Sequence, residues 1–388
     1  MRSFKHIAPA MRLFHGADSF SHLGGELDRL HAGRALVFCG SSMFREAQVL
    51  GLVRAALAHR CAGVFDGVRA HSPVSSVVAG ADALKRVGAD AVIALGGGSA
   101  IVTARAASIL LAEQRDARSL STSMNDRGEL HSPKLQAPKL PQLVIPTTPT
   151  TAIVKAGSAI SDPVSKERLA LFDPKTRAHA VFVHPAALDS APRELVISAG
   201  LDTLVFAIEC LISRGGDPIA DALLMQSVRL AGAQLAHDGT NQDGSWRSEL
   251  VLAAILCGQG SDYTGAGIAT ALGHAIGAYS EVENGITKAI VLPHALRFNA
   301  DAACGAIAKV AASLDVPASA SDPMESVLAA LRTITGRLGI PVRLRDAGLK
   351  REALPKIAAS TMSDWWLRGN ARPVRGAGEL EQVLEQAW

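Results

Sequence analysis

Short apolar runs and helical stretches alternate through the first half of the chain. Ala35–Cys39, Gly63–Asp66, Ala91–Leu95, Gln142–Ile145 and Ala180–Val183 are apolar or β-branched runs of strand length. Between them, Arg45–His59 and Ser75–Val87 repeat apolar positions at helical spacing. That alternation predicts βαβ units, and so a parallel sheet with helices on both faces. From about Ser190 the strand signal stops. Pro192–Arg214, Asp217–His237, Trp246–Gln259, Gly265–Tyr279, Ala289–Ala300 and Met324–Leu338 all carry a helical period. The pattern therefore predicts two domains, an α/β domain over 1–185 and an all-α domain over 190–388. Residues 114–140 break it: they are rich in charge, Ser and Pro, and read as a surface insertion between one helix and the next strand.

Ligands of parallel sheets collect at the carboxyl ends of the strands. One such end is Ala91-Val-Ile-Ala-Leu-Gly-Gly-Gly-Ser99, where three glycines follow an apolar strand and Ala100–Leu111 reads as a small-residue helix capped by Ser99. A strand, a glycine turn and a helix start would aim peptide N–H groups and the positive end of a helix dipole at an anion. A plain strand-to-helix turn reads the same way, since the spacing is not G-x-G-x-x-G. A second strand end is the polar run Pro146-Thr-Thr-Pro-Thr-Thr151.

Composition narrows the class. With 388 residues, 48% hydrophobic and 19% charged, the chain is a globular protein and not a disordered one. A net charge of +3 with no basic block argues against a nucleic-acid surface. The five cysteines are scattered with no C-x-x-C pair, so neither a disulfide framework nor a zinc ribbon is expected. No apolar leader follows Arg2, Lys5 and Arg12, and the apolar stretch Leu201–Ile212 carries Asp202 and Glu209. A cytoplasmic protein without a membrane span is the expectation, with its small-molecule site in a cleft between the domains.

Gly96–Ser99, Pro146–Thr151, Gly200–Glu209 in the pattern G-x-D-x-L-x-x-A-I-E, and His274–Gly277 in the pattern H-x-x-G follow one another along nearly the whole chain. In that order they resemble the iron-containing alcohol dehydrogenase superfamily. Val64–Pro73, Leu292–Leu296 and the tail Asn370–Val374 with Gln386–Trp388 are most similar to its maleylacetate reductases. The resemblance implies a dehydroquinate synthase-like fold: a Rossmann-like NAD(P)-binding domain, a helical domain supplying metal and substrate contacts, and a homodimer. Carried over by position, Gly97, Gly98 and Ser99 would hold the pyrophosphate, and Thr147, Thr148 and Thr151 the ribose and nicotinamide. Arg168 falls where the family has a cofactor-contacting Lys. Gly40 stands where NAD-preferring members place an Asp, and Ser41, Ser42 and Arg45 follow it. Without that carboxylate a 2′-phosphate is not repelled, which favours NADP(H) over NAD.

The resemblance fails at the metal. The family holds a divalent ion with one Asp and three His. Asp202 is present, but the His positions are Phe206, Thr270 and Asn284. One carboxylate with a phenylalanine, a threonine and an amide is too poor a donor set, so no metal is expected. Val102 and Arg105 also replace the usual Asp and Lys of the glycine-turn helix, and Lys155 stands beside a more apolar Ala152-Ile153-Val154. With the ion gone, His274 becomes the candidate acid, Asp202 a group that orients or charge-tunes the site, and Asn284 a hydrogen-bond partner for substrate. His294 reads as packing, His71 as a weak cofactor-edge candidate, Trp365 and Trp366 as core cover or cleft lining, and Arg168, Arg297 and Arg372 as carboxylate binders. The expected function is metal-independent reduction of a small carbonyl or keto-acid by NAD(P)H. The alternatives are a redox-neutral lyase, dehydratase or cyclase, and a non-catalytic homologue.

Overall fold

The computed structural model describes residues 3–125, 129–163, 167–237, 245–317 and 322–388. The chain forms two compact units, Pro9–Ala191, and Met1–Ala8 with Pro192–Trp388. Residues 3–8 thus group with the helical unit, where His6 Nδ1 lies 3.1 Å from Asp217 Oδ2 and Tyr263 Oη donates to the Ile7 carbonyl.

In the sheet unit, β1 (Arg12–His15), β2 (Ala35–Gly40), β3 (Cys61–Val68), β4 (Ala91–Gly96), β7 (Gln142–Pro146) and β10 (Ala178–Val183) form one sheet in the order β1-β10-β7-β4-β2-β3. Every pairing in it is parallel. The inner strands β2, β4 and β7 are buried along nearly their whole length, which is why they read as unbroken apolar runs. The four-residue β1 is largely exposed at the sheet edge and has no such run to betray it.

Helices α1 (Leu23–Arg29), α2 (Ser41–Arg45), α3 (Ala47–Leu57), α4 (Val74–Val87), α5 (Gly98–Glu113) and α6 (Pro185–Asp189) belong to this unit. The expected helix over Arg45–His59 is divided at Glu46, whose backbone leaves the helical region. Leu36, Val37 and Phe38 of β2 and Ile93 and Leu95 of β4 are 2% exposed or less and form its core.

The insertion is less loose than its composition suggests. It contains a small ladder of β5 (Ser123–Met124) and β6 (Leu130–His131). Its end is tied down by the fully buried Lys139 ammonium, 2.6 Å from Glu113 and 3.1 Å from Asp173. Residues 126–128 lie outside the described residues. A hairpin of β8 (Gly157–Asp162) and β9 (Glu167–Phe172) was not signalled either. The fully buried Arg105 guanidinium fastens its base, donating to the Gly157, Ala152 and Thr176 carbonyls and to Gln142.

The second unit is helical: α7 (Arg193–Ile212), α8 (Pro218–Ala236), α9 (Trp246–Gly260), α10 (Ile268–Ile276), α11 (Asn284–Phe298), α12 (Ala300–Ser313), α13 (Pro323–Arg337), α14 (Leu354–Thr361) and α15 (Ala377–Ala387). The helix α7 is long and apolar enough to cross a membrane, yet 83% of that window is buried inside the protein, as befits a core helix. It lies tight against α11 at Gly285, where an added Cβ would stand 1.8 Å from the Ser198 carbonyl oxygen. α10 is shorter than its period implied, and α11 starts earlier, at Asn284.

Candidate active site

The chain crosses from β3 past β2 to reach β4, so the sheet reverses its winding between β2 and β4, the place where such sheets take ligands. The glycine turn lies there. Gly96 has φ +147°, and a Cβ on it would meet Ala100 Cβ at 2.9 Å. The helix begins two residues earlier than its sequence suggests: the cap is Gly97, with no side-chain cap hydrogen bond, and Ser99 is already helical. Its first N–H groups are therefore not taken by a cap side chain, as an anion site requires.

Gly96 pairs with Pro146, and Thr147 N donates to the Gly96 carbonyl. The two polar strand ends thus form one rim. A Cβ on Gly97 would come within 2.8 Å of Thr148 Oγ1, and one on Gly98 within 3.3 Å of Thr150 Oγ1. Thr150, not singled out from sequence, belongs to the rim with Thr147, Thr148 and Thr151. Ser72 Oγ donates to the Ser99 carbonyl, and Ser72 and the exposed His71 both adopt positive φ, which pins that loop beside the turn. Gly40 ends β2 with an ordinary φ of −83°, and a Cβ there would meet just the Val68 carbonyl oxygen at 3.6 Å. Packing does not demand glycine at that point. Ser41, Ser42 and Arg45 beyond it are exposed. Arg168 is exposed on the hairpin, opposite Ser161.

In the helical unit Asp202 of α7 meets a partner that sequence reasoning passed over. Lys288 of α11 places Nζ 2.6 Å from Asp202 Oδ1. The signal was a lone lysine in the run Gly285-Ile-Thr-Lys-Ala-Ile-Val-Leu292. Asn284 lies one turn before it, its Oδ1 3.2 Å from where a Cβ on Gly277 would be. Phe206, one turn beyond Asp202, packs edge-on against Trp366 at 5.1 Å. Thr270 is buried at the start of α10, where Glu209 accepts from the Ala269 and Thr270 N–H groups.

His274 Nδ1 lies 2.8 Å from Asp364 Oδ2, a second partner not foreseen, and Asp364 is itself fixed by the Trp366 N–H. A carboxylate on Nδ1 orients the ring. Burial, with help from Arg297, holds the proton affinity of His294 below its ordinary value, and Gln386 contacts it. The candidate carboxylate binders Arg297 and Arg372 are instead engaged with Glu325 and Glu379.

An iron-containing alcohol dehydrogenase model matches residues 10–185, and the model of the C-terminal region of the Fe-containing alcohol dehydrogenases matches residues 196–388. The chain belongs to the iron-containing alcohol dehydrogenase family. Lactaldehyde reductase of Escherichia coli is 30% identical over 335 residues, 84% of each chain. Maleylacetate reductase 1 of Cupriavidus pinatubonensis is 27% identical over 392 residues, 100% of this chain and 98% of its own. A solved 1,3-propanediol oxidoreductase superposes over the full length of both chains with a TM-score of 0.90 at 23% identity. This iron-containing alcohol dehydrogenase family member is an NAD(P)-dependent, alcohol dehydrogenase- or reductase-like enzyme, with a parallel-sheet domain and a helical one.

The two groups that the family implies fare differently. A dinucleotide fits, because the uncapped helix start, the Cβ-free Gly97 and Gly98 and the threonine rim form a cradle that side chains would fill. A divalent ion does not. Among the described residues no three of His, Cys, Asp and Glu come together to hold one. Asp202, the one acidic group at the family's ligand positions, already has an ammonium on its oxygen.

Proposed function

We propose that the protein is a metal-independent reductase of small carbonyl or keto-acid substrates that prefers NADPH to NADH. The observation that carries the reading is the Asp202–Lys288 ion pair, where a cation from the chain itself sits on the carboxylate an ion would need. Gly97, Gly98 and Ser99 bind the pyrophosphate through peptide N–H groups, and Thr147, Thr148 and Thr151 line the ribose and nicotinamide. When bound, the reduced nicotinamide supplies a hydride. Arg168 adds positive charge near the cofactor. Ser41, Ser42 and Arg45 receive the 2′-phosphate that an acid at Gly40 would repel.

His274, oriented by Asp364, carries the proton for the carbonyl oxygen at Nε2. Asn284 donates a hydrogen bond to the substrate. The working form is a cytoplasmic homodimer.

Oxidation of NADPH and of NADH, followed at 340 nm against a panel of aldehydes, ketones and keto-acids in the presence of a chelator, tests this. NADPH consumption that the chelator leaves unchanged is the expected result. Bound nucleotide that is never turned over while substrate is converted would replace the reading with a redox-neutral one.

A further inference from the structure

Lys288 is more than packing requires. It is 3% exposed, and lysines are seldom buried so fully unless paired. Its stem runs through a groove that glycine keeps open: a Cβ on Gly273 would stand 2.4, 2.8 and 3.1 Å from Lys288 Cγ, Cε and Cδ. Its Nζ ends on Asp202 at 2.6 Å. Among the described residues that is the ammonium's hydrogen-bond partner, although an ammonium carries three donors.

The pair is lopsided. The Lys288 side chain is 4% exposed and that of Asp202 40%, so a desolvated cation faces a carboxylate open to one side. Glu209, two turns further along α7, is fully buried; burial holds its carboxyl above the ordinary value, against hydrogen bonds from Thr270 and Ala269 and the lesser pull of the Lys288 charge. Apolar residues commonly replace a buried ion pair at no loss of stability, so joining α7, α10 and α11 does not by itself call for a lysine.

We infer that Lys288 is the electrophile of this reductase. Its ammonium, held by Asp202 and threaded past Gly273, donates a hydrogen bond to the carbonyl oxygen of a small aldehyde or ketone and holds the alkoxide that forms. The inference rests on the reductase reading above. In the step the carbonyl carbon forms a C–H bond with the hydride from the reduced nicotinamide, which is left oxidised. The C=O π pair moves onto oxygen, and a proton from His274 completes the alcohol. Lys288 remains an ammonium throughout, and Asp202 is a positioning residue. A preorganised, desolvated donor of this kind contributes far more than the same group in water.

The test compares wild type with Lys288→Ala and Lys288→Met. Both variants should bind NADPH, by fluorescence titration, within about twofold of wild type, because Lys288 supplies none of the pyrophosphate or ribose contacts. Aldehyde reduction should fall about 10²–10³-fold in kcat, the usual cost of one oxyanion donor. Added ethylamine should restore part of the activity of Lys288→Ala and none of Lys288→Met, whose side chain fills the groove. If Lys288→Ala folds poorly by circular dichroism, Lys288→Met carries the comparison.

A readout independent of turnover is calorimetric binding of trifluoroethanol, an alcohol that ionises readily, to the enzyme saturated with NADP⁺. Affinity should drop about tenfold in Lys288→Met, as expected for a lost charge-assisted hydrogen bond. Unchanged kcat in both variants would overturn the role of Lys288 and leave the reductase reading standing. A wild type that binds NADPH yet reduces no carbonyl would overturn the reductase reading. Trifluoroethanol then decides on Lys288 alone: weaker binding in Lys288→Met supports it, and equal binding overturns it.

Discussion

The glycine turn of the sheet unit and the Asp202–Lys288 centre of the helical unit each offer hydrogen-bond-donating polarity, by opposite means. At the turn it comes from peptide N–H groups and a helix start, and the site exists because Gly97 and Gly98 carry no side chain. In the helical unit it comes from one buried ammonium, brought to its place by the length of a lysine and by the close approach of α11 to α7 and α10. The first site is sensitive to added atoms, and the second to lost charge as well as to added atoms at Gly273 and Gly285. Each can be damaged without touching the other.

The largest effect belongs to the helical side. Gly285→Ala puts a Cβ 1.8 Å from a backbone oxygen that cannot turn away, so α7 and α11 must separate. A loss of roughly 3 kcal/mol or more of stability is expected, read as a fall in thermal midpoint. Gly97→Ala makes a milder clash with Thr148 Oγ1, a hydroxyl that can rotate. Its melting temperature should hardly move, while NADPH affinity measured by fluorescence drops about tenfold because the approach to the N–H groups is narrowed. A Gly97→Ala enzyme with unimpaired NADPH binding would break the contrast between the two sites.

How much of each site could be read from the sequence follows from the same contrast. The glycine turn, the threonine run and the central strands are contiguous, so their chemistry is written in neighbouring letters. Even there Ser99 looked like the cap, because cap preferences cannot reveal that Gly97 takes that place. Asp202, Lys288, His274 and Asp364 come from separate elements joined by tertiary packing. The sequence pointed to Asp202 and His274 through resemblance, but neither Lys288 nor Asp364 carries a local pattern. The edge strand β1 and the β8–β9 hairpin escaped for a related reason, having no sustained apolar run.

Two smaller effects sharpen the picture of the sheet unit. Gly40→Asp should fit without strain, and should shift the ratio of NADPH to NADH efficiency about tenfold toward NADH by charge alone. Equal loss with both cofactors would mean that Gly40 does not face the 2′-position.

The smallest effect is on pH stability. Burial, with a lesser push from Arg29, lowers the proton affinity of His179 in β10, and its buried Nδ1 has no hydrogen-bond partner among the described residues. The folded chain then binds fewer protons here than the unfolded chain. Its contribution is present above the ordinary imidazole value of 6.5 and is lost as pH falls through the lower folded value. Melting temperature should decline from pH 7.5 to 5.5, and His179→Asn should flatten that decline.

The most direct measurement is the metal content of the enzyme as purified, by mass spectrometry, paired with calorimetric titration of Zn²⁺ and Fe²⁺. The account predicts well under about 0.1 ion per chain and no saturable binding at Asp202, since a single carboxylate already on an ammonium cannot complete a ligand set. One tightly held ion per chain, lost on Asp202→Asn and matched by activity, would contradict it.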